Sequence, residues 1–122
     1  MKKWRLIKTE LFARSFKKYQ KKHQPEVIAV LNNLDTYLKT LQAGVKSVLV
    51  HAGFIHLEPL GVIAIDQKGM KGKGRQTRLY VYTVEIDKVV YLITIGDKNS
   101  QKSDIVDCKK FVTDLRKKNE KI

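Results

Sequence analysis

Between residues 67 and 84 the chain runs for eighteen positions without a carboxylate, and it places Lys68, Lys71, Lys73, Arg75 and Arg78 around Gly69, Gly72 and Gly74. Flexible glycines let backbone N–H groups approach phosphate oxygens, and each Lys or Arg that meets a phosphate releases a condensed counterion. Alternate side chains of an extended strand share a face, so Arg78, Tyr80 and Tyr82 point one way and Leu79, Val81 and Thr83 the other. If Leu79 and Val81 pack inward, the Arg and the tyrosines face a cleft. Cations beside aromatic rings suit single-stranded RNA, whose bases stack on tyrosine while Arg holds phosphate. The alternative for Tyr80 is packing against a C-terminal helix.

Other chemistries have little support in the sequence. The carboxylates are scattered, and His23, His51 and His56 have no recognised metal-ligand spacing. His51 and His56 read as ordinary surface or packing residues near a turn. A G-x-S-x-G nucleophile motif and a phosphate-binding G-x-x-x-x-G-K-[ST] loop are both absent. What remains is metal-free cleavage of RNA. There the 2′-OH attacks phosphorus in line while protein groups remove one proton, supply another and stabilise the charge. Crowded cations lower a lysine pKa, which lets a lysine serve as base or acid near neutral pH. No cofactor is expected.

Charge agrees with a polyanionic partner. The 25 Lys and Arg against 12 Asp and Glu give +13 over 122 residues, beyond what solubility requires. Nucleic acid, an acidic protein and a membrane surface all fit that charge. The length suits a single domain over 1–122, and a hydrophobic fraction of 43% with two prolines and seven glycines predicts a packed core. Cys108, the single cysteine, excludes an internal disulfide and suits a reducing, cytoplasmic setting; it reads as a small core residue. The basic start is followed by no uninterrupted apolar stretch, because Lys8, Glu10 and Arg14 break it, so neither an export signal nor a membrane span is expected.

The elements that must position these residues follow from periodicity. A strand is predicted over 4–9, then a helix capped by Thr9 with Phe12, Phe16 and Tyr19 on its packed face and Lys17, Lys18, Lys21 and Lys22 on its solvated one. Pro25 opens a second helix whose stripe is Val27, Val30, Leu31, Leu34, Leu38 and Leu41, and Gly44 ends it. Residues 46–61 read as a partly ordered connection because Gly53 and Pro59 interrupt any regular element. A buried strand over 61–66 precedes the glycine-rich loop 68–76. Strands over 78–85 and 89–96 form an antiparallel hairpin at the centre of the sheet. A helix capped by Ser103 closes the chain, with Ile105, Cys108, Phe111, Val112 and Leu115 on one face. The class is α+β: a small antiparallel sheet against an N-terminal helical pair, with a C-terminal helix.

Element order and motifs together resemble the RelE/ParE superfamily of type II toxins, nearest the HigB-like and RelE-like members. In that group a Gly/Lys-rich loop leads into a strand with Arg and tyrosines, then a strand ending in Lys-Asn, then Asp-Leu. Here the same register reads Gly72-Lys73-Gly74-Arg75, then Arg78-Leu79-Tyr80-Val81-Tyr82. It continues with Leu92-Ile93-Thr94-Ile95-Gly96-Asp97-Lys98-Asn99 and Asp104-Ile105, and Thr9-Glu10-Leu11-Phe12 resembles the start of the family's first helix. Gly96-Asp97 stands where relatives commonly carry an aromatic and a small residue.

The resemblance implies an mRNA interferase that cuts messenger RNA on the ribosome and is neutralised by an acidic antitoxin. It makes Arg78 and Lys98 the phosphate-binding and catalytic cations, with Tyr82 as the aromatic. Lys71, Lys73, Arg75, Tyr80 and Lys102 are then the RNA-binding residues. Asp104 reads instead as an acid in a helix first turn. Two alternatives stay open: a non-catalytic RNA- or protein-binding module on the same fold, and a ParE-like gyrase inhibitor.

Overall fold

Thr9 sets the first corner of the chain. Its hydroxyl accepts from the Phe12 N–H at 3.0 Å and donates to the Leu92 and Ile93 carbonyls, so one residue caps a helix and fastens it to a strand. In the computed structural model, which describes residues 3–50, 52–68 and 76–120, that corner joins strand β1 (Arg5–Lys8) to helix α1 (Glu10–Tyr19). Helix α2 (Gln24–Gln42) opens on Pro25 and ends where Gly44 takes the left-handed conformation (φ 96°). Strands β2 (Ile55–Leu57), β3 (Ile63–Asp66), β4 (Thr77–Val84) and β5 (Val89–Asp97) follow, then helix α3 (Gln101–Glu120).

The class is α+β, as expected, with the hairpin β4–β5 inside a five-stranded sheet of order β1-β5-β4-β3-β2. The sheet is mixed, not antiparallel, because β1 runs parallel to β5, pairing Arg5 with Val89 and Lys8 with Leu92. The expected loose connection over 46–61 contains β2, three residues long and bounded by turns, too short to show alternation in sequence. Ser103 does not cap α3. Asp97 Oδ1 accepts from the N–H groups of Asn99 and Ser100, the helix begins at Gln101, and Ser103 lies inside it with its hydroxyl donating to the Ser100 carbonyl.

Both faces of the sheet are covered. On one, Phe12, Val27, Val30, Leu34, Tyr37 and Leu41 of α1 and α2 pack on Ile65, Leu79, Val81, Val90, Leu92 and Ile95. On the other, Cys108 and Val112 of α3 pack on Val62, Ala64, Tyr80 and Ile93. Ile93 and Ile95 are two residues apart yet face opposite sides, because the β4–β5 register shifts between Tyr80 and Val81. Among the described residues no helix is long and apolar enough to cross a membrane.

Helix α3 is fastened at its start, where Asp104 is buried and accepts from Ser100 Oγ at 2.7 Å directly over Gly96. A Cβ on Gly96 would overlap both Ser100 Oγ and Asp104 Oδ2, so an aromatic side chain has no room there. We expect Gly96→Ala to break this contact and to lower unfolding free energy by about 1–3 kcal/mol, read by urea denaturation.

Candidate nucleic-acid interface

Three elements bring lysines to one end of the sheet, the end where Asp66, Thr77 and Asp97 lie. Helix α1 ends there: the Tyr19 hydroxyl shares a 2.7 Å hydrogen bond with Thr77 Oγ1, and Ser15 Oγ accepts the Ile95 N–H. Lys18 and Lys22 follow on the exposed side of that helix end. Lys68, two residues beyond β3, is exposed, and the β5–α3 junction contributes exposed Lys98 and Lys102. A cleft of about 360 Å³ opens here, lined in part by Lys18, Lys22, His23, Gly96, Asp97 and Asp104.

The base of the basic loop is firmly held. Asn33 Nδ2 donates to the Asp66 and Lys68 carbonyls at 2.8 and 3.1 Å, and Gln67 Oε1 accepts the Thr77 N–H. Lys71, Lys73 and Arg75 fall outside the described residues, but the flanking Lys68 and Gln76 both sit at this end. The nearby carboxylates are engaged internally. Asp97 accepts from the N–H groups of Asn99 and Ser100 in the turn before α3, Asp104 is buried beneath Ser100, and Asp66 accepts from the Lys68 N–H at 2.7 Å.

The candidate residues divide sharply. Arg78 and Gly96 are directly paired across β4 and β5, so Arg78 and Lys98 belong to the same end of the sheet. Arg78 is not a free cation, however: its guanidinium, 19% exposed, lies 3.6 Å from the Glu58 carboxylate across the intervening β3. Tyr80 is 1% exposed under α3, which excludes it as a stacking platform for bases and corrects the expectation drawn from strand alternation. Tyr82 is half-buried and packs with the same α3 cluster, two residues further from the lysine-bearing end.

Alternation identified the right face but not what covers it. Burial, reinforced by the Asp104 charge, raises the Tyr80 phenol above its usual range, and burial pushes the Cys108 thiol up to about 12. Burial also raises the Asp104 carboxyl. None of these groups is poised to exchange protons with substrate, and Cys108 is the core residue its sequence context predicts.

One pair was not legible in the sequence. His56 Nε2 and Asp66 Oδ2 are 2.6 Å apart, with side chains 36% and 12% exposed. His56 pairs with Ala64, while Asp66 pairs with Arg78, so all three lie on the α3 side of the sheet. The signal was the ten-residue separation of His and Asp, which carries meaning only once 55–57 is read as a strand folded back on 63–66. Among the described residues, no three His, Cys, Asp or Glu side chains group as a metal site.

No protein-family model matches the chain, and no curated protein or solved structure matches it either.

The Tyr80 hydroxyl has no hydrogen-bond partner among the described residues. A buried, unpaired hydroxyl costs about 1–3 kcal/mol. Tyr80→Phe is expected to leave RNA affinity unchanged and to raise stability by about 1 kcal/mol. Thermal unfolding and filter binding check the two outcomes.

Proposed function

We propose that this chain binds RNA at the lysine-bearing end of its sheet and acts as a RelE-like, metal-independent endoribonuclease, a toxin that cuts messenger RNA on the ribosome and is neutralised by an acidic antitoxin. The observation that carries the reading is the exposure of Lys18, Lys22, Lys68, Lys98 and Lys102 at one end of the sheet, where a cleft is lined by Lys18 and Lys22 and by Asp97 and Asp104, each of which already accepts a hydrogen bond. A backbone of phosphates meeting that end exchanges its condensed counterions for fixed ammonium groups, which favours binding independently of sequence. Lys98 lies at the edge of the site and is fully able to approach phosphate. Arg78 reaches it only if phosphate displaces Glu58, an exchange of one anion for another on the same guanidinium.

A second reading is an RNA-binding module without cleavage. Two observations favour it: Arg78 already holds a carboxylate, and Gly96 has no space for the aromatic that relatives carry there.

Binding and cleavage are tested separately. Affinity for a short single-stranded RNA should fall steeply with salt, and Lys98→Ala and Lys102→Ala should each reduce the slope of log K against log salt by about 0.7. Induced expression of the parent should deplete messenger RNA, and Lys98→Ala and Arg78→Ala should spare it. Intact messenger RNA with retained RNA binding selects the non-catalytic reading.

A further inference from the structure

We infer that His56 is the general base of the cleaving site and that Asp66 holds it in position; this rests on the endoribonuclease reading above. Transfer of phosphorus to a neighbouring 2′ oxygen needs a group that accepts a proton near neutral pH, and histidine is the side chain best matched to that task. The lysines at the rim cannot fill this role while protonated. Tyr80 is buried under α3, and Asp104 and Cys108 are buried on the inner side of α3 itself.

The dyad has the geometry such a base requires. In the neutral tautomer that carries its hydrogen on Nε2, His56 donates to Asp66 and keeps its lone pair on Nδ1, which has no partner among the described residues. The carboxylate is itself fixed: its second oxygen accepts the Lys68 N–H at 2.7 Å, and its own main-chain carbonyl accepts from Asn33. The base is therefore held by a carboxylate that is in turn held by backbone, the arrangement that fixes tautomer and ring orientation in other acid–base sites. Arg78 is the direct cross-strand partner of Asp66, and its guanidinium reaches over β3 to Glu58, one residue past the end of β2. A phosphate entering beside His56 would reach the positive charge of Arg78 by displacing Glu58 from it.

In the proposed step the His56 imidazole takes the 2′-OH proton as the O2′–P bond forms. The P–O5′ bond breaks, and O5′ takes a proton from water. The imidazolium returns its proton to the hydroxide so formed. The products are a 2′,3′-cyclic phosphate and a 5′-hydroxyl, with no metal, oxidant or reductant consumed. The substrate class is RNA, because a deoxynucleotide lacks the attacking oxygen.

The test uses the full chain with a short single-stranded RNA, both free and bound to ribosomes as message. Parent protein should cut it, leaving cyclic phosphate ends, and a single 2′-deoxy substitution at the cut site should stop cleavage. His56→Ala should lower the rate at saturating protein by about 10²–10⁴-fold, leave RNA affinity within about twofold, and recover in part when imidazole is added. His56→Gln keeps a side-chain amide of similar reach and covers the case in which His56→Ala fails to fold. Asp66→Asn should lower kcat with KM unchanged, as expected of a residue acting through another. If His56→Ala and His56→Gln cut at the parent rate, or lose activity only in step with RNA affinity, the assignment fails while the nuclease reading stands. If the parent leaves RNA intact in both settings, reading and assignment fail together.

Discussion

A five-stranded sheet in a chain of this length has two apolar faces to cover, and here helices take both. Helices α1 and α2 bury the side built by Leu79, Val81, Leu92 and Ile95, while α3 buries Ala64, Tyr80 and Ile93. Each large apolar side chain so covered is worth about 1.5–3 kcal/mol relative to exposure, which makes both coverings hard to give up. Polar chemistry is then left to the margins. Of the two ends of the sheet, the one at Asp66, Thr77 and Asp97 receives the end of α1, the residues on either side of 69–75 and the start of α3.

The docking of α3 shapes that end most directly. Its first turn descends on Gly96 through Ser100 and Asp104, so β5 carries no side chain at the point opposite Arg78. Tyr80 becomes core, and Arg78 is drawn across β3 to Glu58. On the same face His56 and Asp66 form a hydrogen-bonded pair with side chains 36% and 12% exposed.

Much of this architecture was written in periodicity. Thr9, Pro25 and Gly44 punctuate the helices, the stripe from Val27 to Leu41 faces the core, and the alternation from Arg78 to Tyr82 fixes which side chains share a face. What failed were properties that depend on contacts distant in sequence. A strand of three residues has no alternation to detect, so β2 was hidden, and with it the diagonal from His56 to Asp66. Parity placed Tyr80 on the right face but could not say that α3 covers it. Likewise no local pattern distinguishes a free Arg78 from one that holds Glu58. The parallel pairing of β1 to β5 closes over more than eighty residues and leaves no local trace.

The central claim is that one end of the sheet, and not the whole cationic surface, receives RNA. Amide chemical shifts followed while a short single-stranded RNA is added at low salt test it most directly. The account predicts that perturbations concentrate on Lys18, Lys22, Lys68, Lys98, Lys102 and the dyad residues His56 and Asp66. Perturbations centred instead on the opposite end, around Lys46, Glu85 and Lys88, or spread evenly over all exposed lysines, would contradict it.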